Sequence, residues 1–197
     1  MEITENLEIV SFSPRTLLFL WEQMNQFPQL FDDRFKGRYD LFTARMMAPT
    51  TVVASYRPTK GEPAKGVLYF TELWPRGSAN FHVFFWDKTF QGREQVILDF
   101  WKWGFQTFDL HKIIIMLPYF AKYLRRLLRE AGVVLEGKLR EDYLHNGKWY
   151  DIYVFGILRT ELDALALRIK PSEPAQDTVD DMPQEEASEG AQEEEGE

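Results

Sequence analysis

The residues best able to do chemistry cluster around one stretch, "FFWDKTFQGREQVILDFWKWGF", Phe84 to Phe105. An apolar run ends, a polar joint holding Gln91-Gly92-Arg93 follows, and apolar residues then recur at 96, 97, 100, 101, 104, 105 and 108. That is a strand feeding a helix. Such a joint either cradles a phosphate on the unpaired first N–H groups of the helix, or only connects two elements. Upstream, His82 lies mid-strand in "NFHVFFW", on one face with Asn80, Phe84 and Trp86 by period-2 alternation. A histidine there is a candidate proton acceptor. A lone histidine among aromatics is as readily a satisfied core residue, and the two readings weigh evenly.

The elements that would position these residues can be read in order. "LEIVSF" is a first strand, and Ser13-Pro14 starts a helix whose stripe is Leu17, Leu18, Trp21 and Met24, up to Pro28. A short helix covers "RYDLFTARMM". "TTVVASY" and "GVLYFTEL" form a hairpin across "TKGEPAKG", and "ANFHVFFW" is the next strand. "KIIIMLP" has the apolar, β-branched pattern of a central strand covered on both faces. In "YFAKYLRRLLREAG" the residues Phe120, Tyr123, Leu124, Leu127, Leu128 and Ala131 share a helical face, which Gly132 closes. Two strands, "VVLEGKLREDYL" and "KWYDIYVFGIL", flank Asn146-Gly147, a strong hairpin signal, before a last helical piece, "ELDALALRI". The sum is an α/β domain with one mixed sheet.

Composition narrows the chemistry. The 197 residues include no cysteine, which excludes thiol catalysis and thiolate metal sites, and the histidines at 82, 111 and 145 have no zinc-site spacing. No metal is expected. No apolar run reaches the ~18 residues of a membrane span, and "MEITENLEIV" is not a basic-then-apolar signal, so a soluble, cytoplasmic protein is expected. Of 31 acidic residues, 11 lie in 171–197, which has no Lys or Arg. The rest holds 20 acidic against 23 basic residues, a net of +3. A mildly basic domain over residues 1–170 is expected, with a disordered acidic tail over 171–197. That charge suits a phosphate-bearing ligand, whereas nucleic acid is disfavoured because no Lys/Arg stripe stands out.

Order and residues together resemble the GCN5-related N-acetyltransferase superfamily. Within it they resemble the branch of the ribosomal-protein alanine acetyltransferases, which shares the pattern of "EGKLREDYLHNGKWYDIYVFGILRTEL", Glu136 to Leu162. The likeness spans about residues 5 to 165. It implies a single domain with a mixed, mostly antiparallel sheet of six to seven strands flanked by helices. It further implies acetyl transfer from acetyl-CoA to an amine, a protein amine being slightly favoured over a small molecule or a nucleobase. The cofactor would be gripped by backbone groups of Phe84, Phe85 and Trp86 and by the joint after them.

This chain departs from the family pattern at that joint. In the register set by the helix, Lys88 takes the basic position while Gln91 and Arg93 stand where the family has glycines; a shift by one aligns Gly92 instead. Where many relatives carry an acid Tyr, this chain has Leu128, with Tyr119 and Tyr123 one or two turns earlier. Tyr123 is the candidate acid, its core reading weighing more. His82, or a water it holds, is the candidate base, and Glu72 on the neighbouring strand a second one. By the same likeness the acceptor enters past "FPQLFDDRF" and Tyr143 to Trp149, where Asp32, Asp33 and Asp142 would attract a cation. Trp74 and Trp86 flank the mouth. The competing reading is a non-catalytic binding or regulatory module that keeps the fold, and monomer and homodimer stay equally open.

Overall fold

The computed structural model describes residues 1–27, 31–87 and 92–168, apart from the side chain of Tyr123. Eight strands form one sheet: β1 (Glu2–Thr4), β2 (Leu7–Ile9), β3 (Val52–Tyr56), β4 (Gly66–Thr71), β5 (Ser78–Phe85), β6 (Lys112–Pro118), β7 (Val134–His145) and β8 (Lys148–Leu158). Their spatial order is β1-β2-β3-β4-β5-β6-β8-β7, and only β5 and β6 run parallel. Five helices complete the domain: α1 (Pro14–Asn25), α2 (Tyr39–Met46), α3 (Arg93–Thr107), α4 (Lys122–Glu130) and α5 (Leu162–Arg168). The expected α/β architecture stands, with one strand more than expected. The added strand arises because residues 1–9 fold back as a hairpin, Glu2 opposite Glu8 and Thr4 opposite Leu7. The proposed acidic tail, 171–197, lies outside the described residues.

Alternation along the strands divides the core in two. Leu68, Phe70, Ala79, Phe81, Ile113, Ile115, Phe155 and Ile157 pack with Phe100, Trp101 and Phe105 of α3 and Leu162 and Leu165 of α5. On the other face Val53 and Val67 pack with Leu17, Leu20 and Met24 of α1 and Phe42 and Met46 of α2. Local signals account for the joints. Ser13 Oγ accepts from the Thr16 N–H at 3.1 Å with Pro14 opening α1, and Asn146 and Gly147 both take positive φ, 48° and 72°, as a type I′ turn requires.

Two expectations need correction. β6 is central but covered on one face only: Ile113 and Ile115 are buried, whereas Met116 is 37% exposed, because α1 and α2 pack over β3 and β4 and stop short of it. Among the described side chains of α4 the buried one is Arg125, and Leu124 is exposed. The guanidinium donates to the Tyr119 carbonyl at 2.6 Å and lies 4.3 Å from the centre of the Tyr153 ring. Aromatic faces and one carbonyl therefore hold a cation where an apolar stripe would have set a leucine.

One tight point is where α3 crosses β4. A Cβ at Gly104 would stand 2.6 Å from the ring of Phe70, which is fully buried and stacked on Phe100 at 4.6 Å. Gly104→Val should lower unfolding stability by about 2–3 kcal/mol through overpacking, with an unchanged denaturant m-value; an unchanged midpoint would show that the ring can yield.

Candidate functional site

The sheet opens at its middle. β5 and β6 pair only at Ser78–Lys112, Ala79–Ile113 and Asn80–Ile114. Beyond that point β5 stays with β4 as far as Phe85–Gly66, while β6 stays with β8 as far as Pro118–Ile152. The Trp86 N–H donates to Lys65 O on the β4 side, so alternation turns the backbone of Val83 toward β6, where strand pairing has ended. Among the described residues the result is an opening between the two strands with an unpaired β5 edge, on the side of the chain that leads to α3.

That start is built on Gly92, which caps the helix at φ 87°. A Cβ at Gly92 would meet nothing within 4 Å, so the glycine serves the backbone turn and leaves open space beside it. Arg93 is the first helical residue, and its guanidinium donates to the Asp87 carbonyl at 3.3 Å. Lys88 and Gln91 lie outside the described residues. Glu94, in the first turn, is buried, and its Oε2 has no hydrogen-bond partner among the described residues. A carboxylate there suits the helix dipole but competes with any phosphate brought to the same turn. An open glycine at a helix start beside a bare strand edge fits the pantetheine and phosphate parts of coenzyme A; Glu94 is the misfit.

His82 projects from β5 toward α2. Its Nε2 lies 2.9 Å from Thr71 Oγ1 and 3.3 Å from Nη2 of Arg45, and its ring stacks on Tyr69 at 4.7 Å. Arginine can only donate, so Nε2 carries the lone pair and the proton sits on Nδ1. Burial, and then the Arg45 charge, push its pKa down to about 3. The imidazole is therefore neutral at physiological pH, and the expected role as a base loses its physical support: a group of such low pKa does not hold a proton taken from an ammonium near ~10. Glu72, just past β4 at φ 51°, is exposed, and its Oε2 accepts from Asn80 Nδ2 at 2.8 Å.

Phe84 and Trp86 belong to the α1 side, Trp86 donating Nε1–H to Ala64 O at 2.9 Å, while Phe85 packs on the α3 side against Tyr56. Trp74 is 63% exposed, away from this packing. Tyr123 falls in the first turn of α4, and Leu128 packs against the α3-side core.

Two of the three acids expected to attract an amine are otherwise engaged, while Asp142 stands exposed on β7. Asp32 accepts from Nη2 of Arg34 at 2.6 Å and from the Leu144 N–H at 3.0 Å, and Asp33 accepts from the Gly147 N–H at 2.9 Å. Together they fasten the loop before α2 to the β7–β8 hairpin. Burial alone would raise the Asp32 pKa, but the bonds from Arg34 and Leu144 outweigh it and hold the carboxyl below its usual range.

No family model matches the chain, and no curated protein does. Solved structures do. A double-mutant form of the spermidine/spermine N-acetyltransferase SpeG from Vibrio cholerae superposes with a TM-score of 0.65 at 19% identity, over 83% of this chain and 99% of that one. A chimera of that enzyme with hSSAT gives 0.62 at 20%, covering 80% and 98%. SpeG in complex with manganese ions gives 0.62 at 19%, covering 81% and 96%. The fold is that of the GCN5-related N-acetyltransferases. At these identities the likeness carries the fold alone, and it lends no support to the ribosomal-protein branch.

Of the expected site residues, the structure groups His82 with Thr71 and Arg45, and Glu72 with Asn80. Arg45 and Thr71 escaped the sequence reading because nothing in a helix or strand pattern says which cation of α2 reaches across to β5. The His82 environment sets a pH dependence. The folded state resists protonation that the unfolded chain accepts near 6.5, so this contribution to stability is intact above about pH 6.5 and is lost as pH falls toward 3. His82→Gln should remove that part of the slope in denaturant titrations from pH 7 to 4; an identical slope in both proteins would contradict it.

Proposed function

We propose that this chain is an acetyl-CoA-dependent N-acetyltransferase that delivers an acetyl group to an amine. The observation that carries the reading is the parting of β5 from β6 beside an open helix start, in the fold of known N-acetyltransferases. In this reading the β5 edge from Val83 through Trp86 lies along the pantetheine arm and Gly92 and Arg93 face the phosphates, with Lys88 and Gln91 as the further phosphate-binding candidates of the sequence. The co-substrate supplies the thioester. The amine nitrogen forms the new C–N bond, the C–S bond breaks, and the thiolate leaves with a proton; Tyr123 is the proposed donor for it.

The roles of His82 and Glu72 follow from their chemistry. Neutral His82, fixed by Thr71 and Arg45, shapes the pocket and orients the acceptor as a hydrogen-bonding and stacking surface. Glu72, an exposed carboxylate held by Asn80, receives the ammonium, whose proton leaves directly to solvent before the amine attacks. The rate should then rise with pH as the acceptor deprotonates, with no inflection near 6.5 from His82.

A second reading, a fold-retaining module without turnover, is favoured by two observations. Glu94 places a carboxylate in the first turn of α3, and Leu128 stands where an acid Tyr is usual. Thermal unfolding with acetyl-CoA or CoA separates the two. A ligand at about a hundred times its Kd stabilises a folded state by ~2.7 kcal/mol, an upward shift of roughly 5–10 °C for a domain of this size. That shift is expected here, and it should grow in Glu94→Gln, where the competing charge is gone. No shift at millimolar ligand in either protein would overturn the acetyltransferase reading in favour of the binding module.

A further inference from the structure

Part of the domain's positive charge is held in ion pairs. Arg34 pairs with Asp32, Arg38 with Asp40, Lys65 with Asp87, Lys138 with Asp151 and Arg159 with Asp109. Arg45 differs. It is exposed on α2, no carboxylate among the described residues lies within 4.0 Å of it, and it meets the neutral imidazole of His82. That contact places a free guanidinium on the α1–α2 side of the sheet, over the strand that lines the cleft.

The negative side of the same site is as restricted. Asp32 and Asp33 are consumed in fastening the hairpin and Asp142 lies out on β7, while Glu72 is an exposed carboxylate bonded to Asn80 of the strand that carries His82. Glu72 is tied to Asn80 and Arg45 to His82, and these two partners stand two residues apart on one face of β5, about 7 Å. The site thus offers one carboxylate and one guanidinium, separated by on the order of 10 Å once side-chain lengths are included.

Resting on the acetyltransferase reading, we propose that the acceptor is an amine that also carries a carboxylate several bonds away, its ammonium facing Glu72 and its carboxylate received by Arg45. An N-terminal peptide amine with an acidic side chain at the next residue has this spacing. A polyamine does not match, because its second ammonium would be driven onto Arg45, a like-charge contact that desolvation makes worse. Arg45 suits the task since a planar guanidinium binds a carboxylate through two parallel N–H donors.

The test uses the full chain with two synthetic probes, Ala-Glu-Gly-amide and its neutral counterpart Ala-Gln-Gly-amide, and spermidine. Binding is measured by calorimetry, and release of CoA from acetyl-CoA is followed in parallel. The acidic peptide should bind at least tenfold more tightly than the neutral one and more tightly than spermidine. Arg45→Gln should abolish that difference, and Arg45→Glu should invert it in favour of spermidine, both variants unfolding at the temperature of the parent. Equal binding of the two peptides, absent binding of both, tighter binding of spermidine, or an unaltered preference in Arg45→Glu overturns the proposal. Spermidine acetylation without acidic preference would sink this proposal and leave the acetyltransferase reading standing. Selective binding of the acidic peptide with no CoA release from any amine would do the reverse.

Discussion

The structure depends on a sheet that cannot stay paired through its middle. β5 is committed to β4 along its length, and β6 is committed to β8, so the one parallel contact holds for only the first residues of each strand. The α3 crossover fixes the strands where they do meet: Phe81 packs edge-on against Trp101 at 5.4 Å, and Ile113 and Ile115 are buried in the same cluster. Beyond them, strand twist carries the two halves of the sheet apart. A bare strand edge, a helix start and the face bearing His82 come together there for that single reason.

Within this frame, His82 shows how environment overrides residue type. Its sequence position suggests a base, since imidazole ordinarily titrates near ~6.5. Sandwiched on Tyr69 and approached at Nε2 by Thr71 and a guanidinium, it is instead held neutral. The same arrangement keeps Arg45 in place without neutralising it, because an uncharged acceptor satisfies one donor and leaves the positive charge intact.

Local chemistry was legible in the sequence, and long-range pairing was not. Ser13-Pro14 and Asn146-Gly147 encode their own backbone geometry, so the start of α1 and the β7–β8 turn could be read directly. The strand-to-helix joint and the face carrying His82 followed from periodicity. The β1–β2 hairpin was missed because three-residue strands give too short an alternation to register. The inward turn of Arg125 was missed because its partners, Tyr119 and Tyr153, lie on different strands or loops. Asp32 and Asp33 read as loop charges free to meet a ligand, when each in fact caps backbone N–H groups more than a hundred residues away.

That last difference decides how the electrostatics of the site are understood. A count of nearby acids would make the acceptor entrance negative and point to a polycation. Once each carboxylate is followed to its partner, the negative charge of Asp32 and Asp33 is spent on joining a loop to a hairpin, with short charge-assisted bonds that rigidify the wall of the site. On β5 a carboxylate, Glu72, and a guanidinium, Arg45, are each held by a neutral side chain of that strand. Fold and total charge are shared with proteins of other specificities; the distinguishing quantity is which charges are left unneutralised after the structure has used the others.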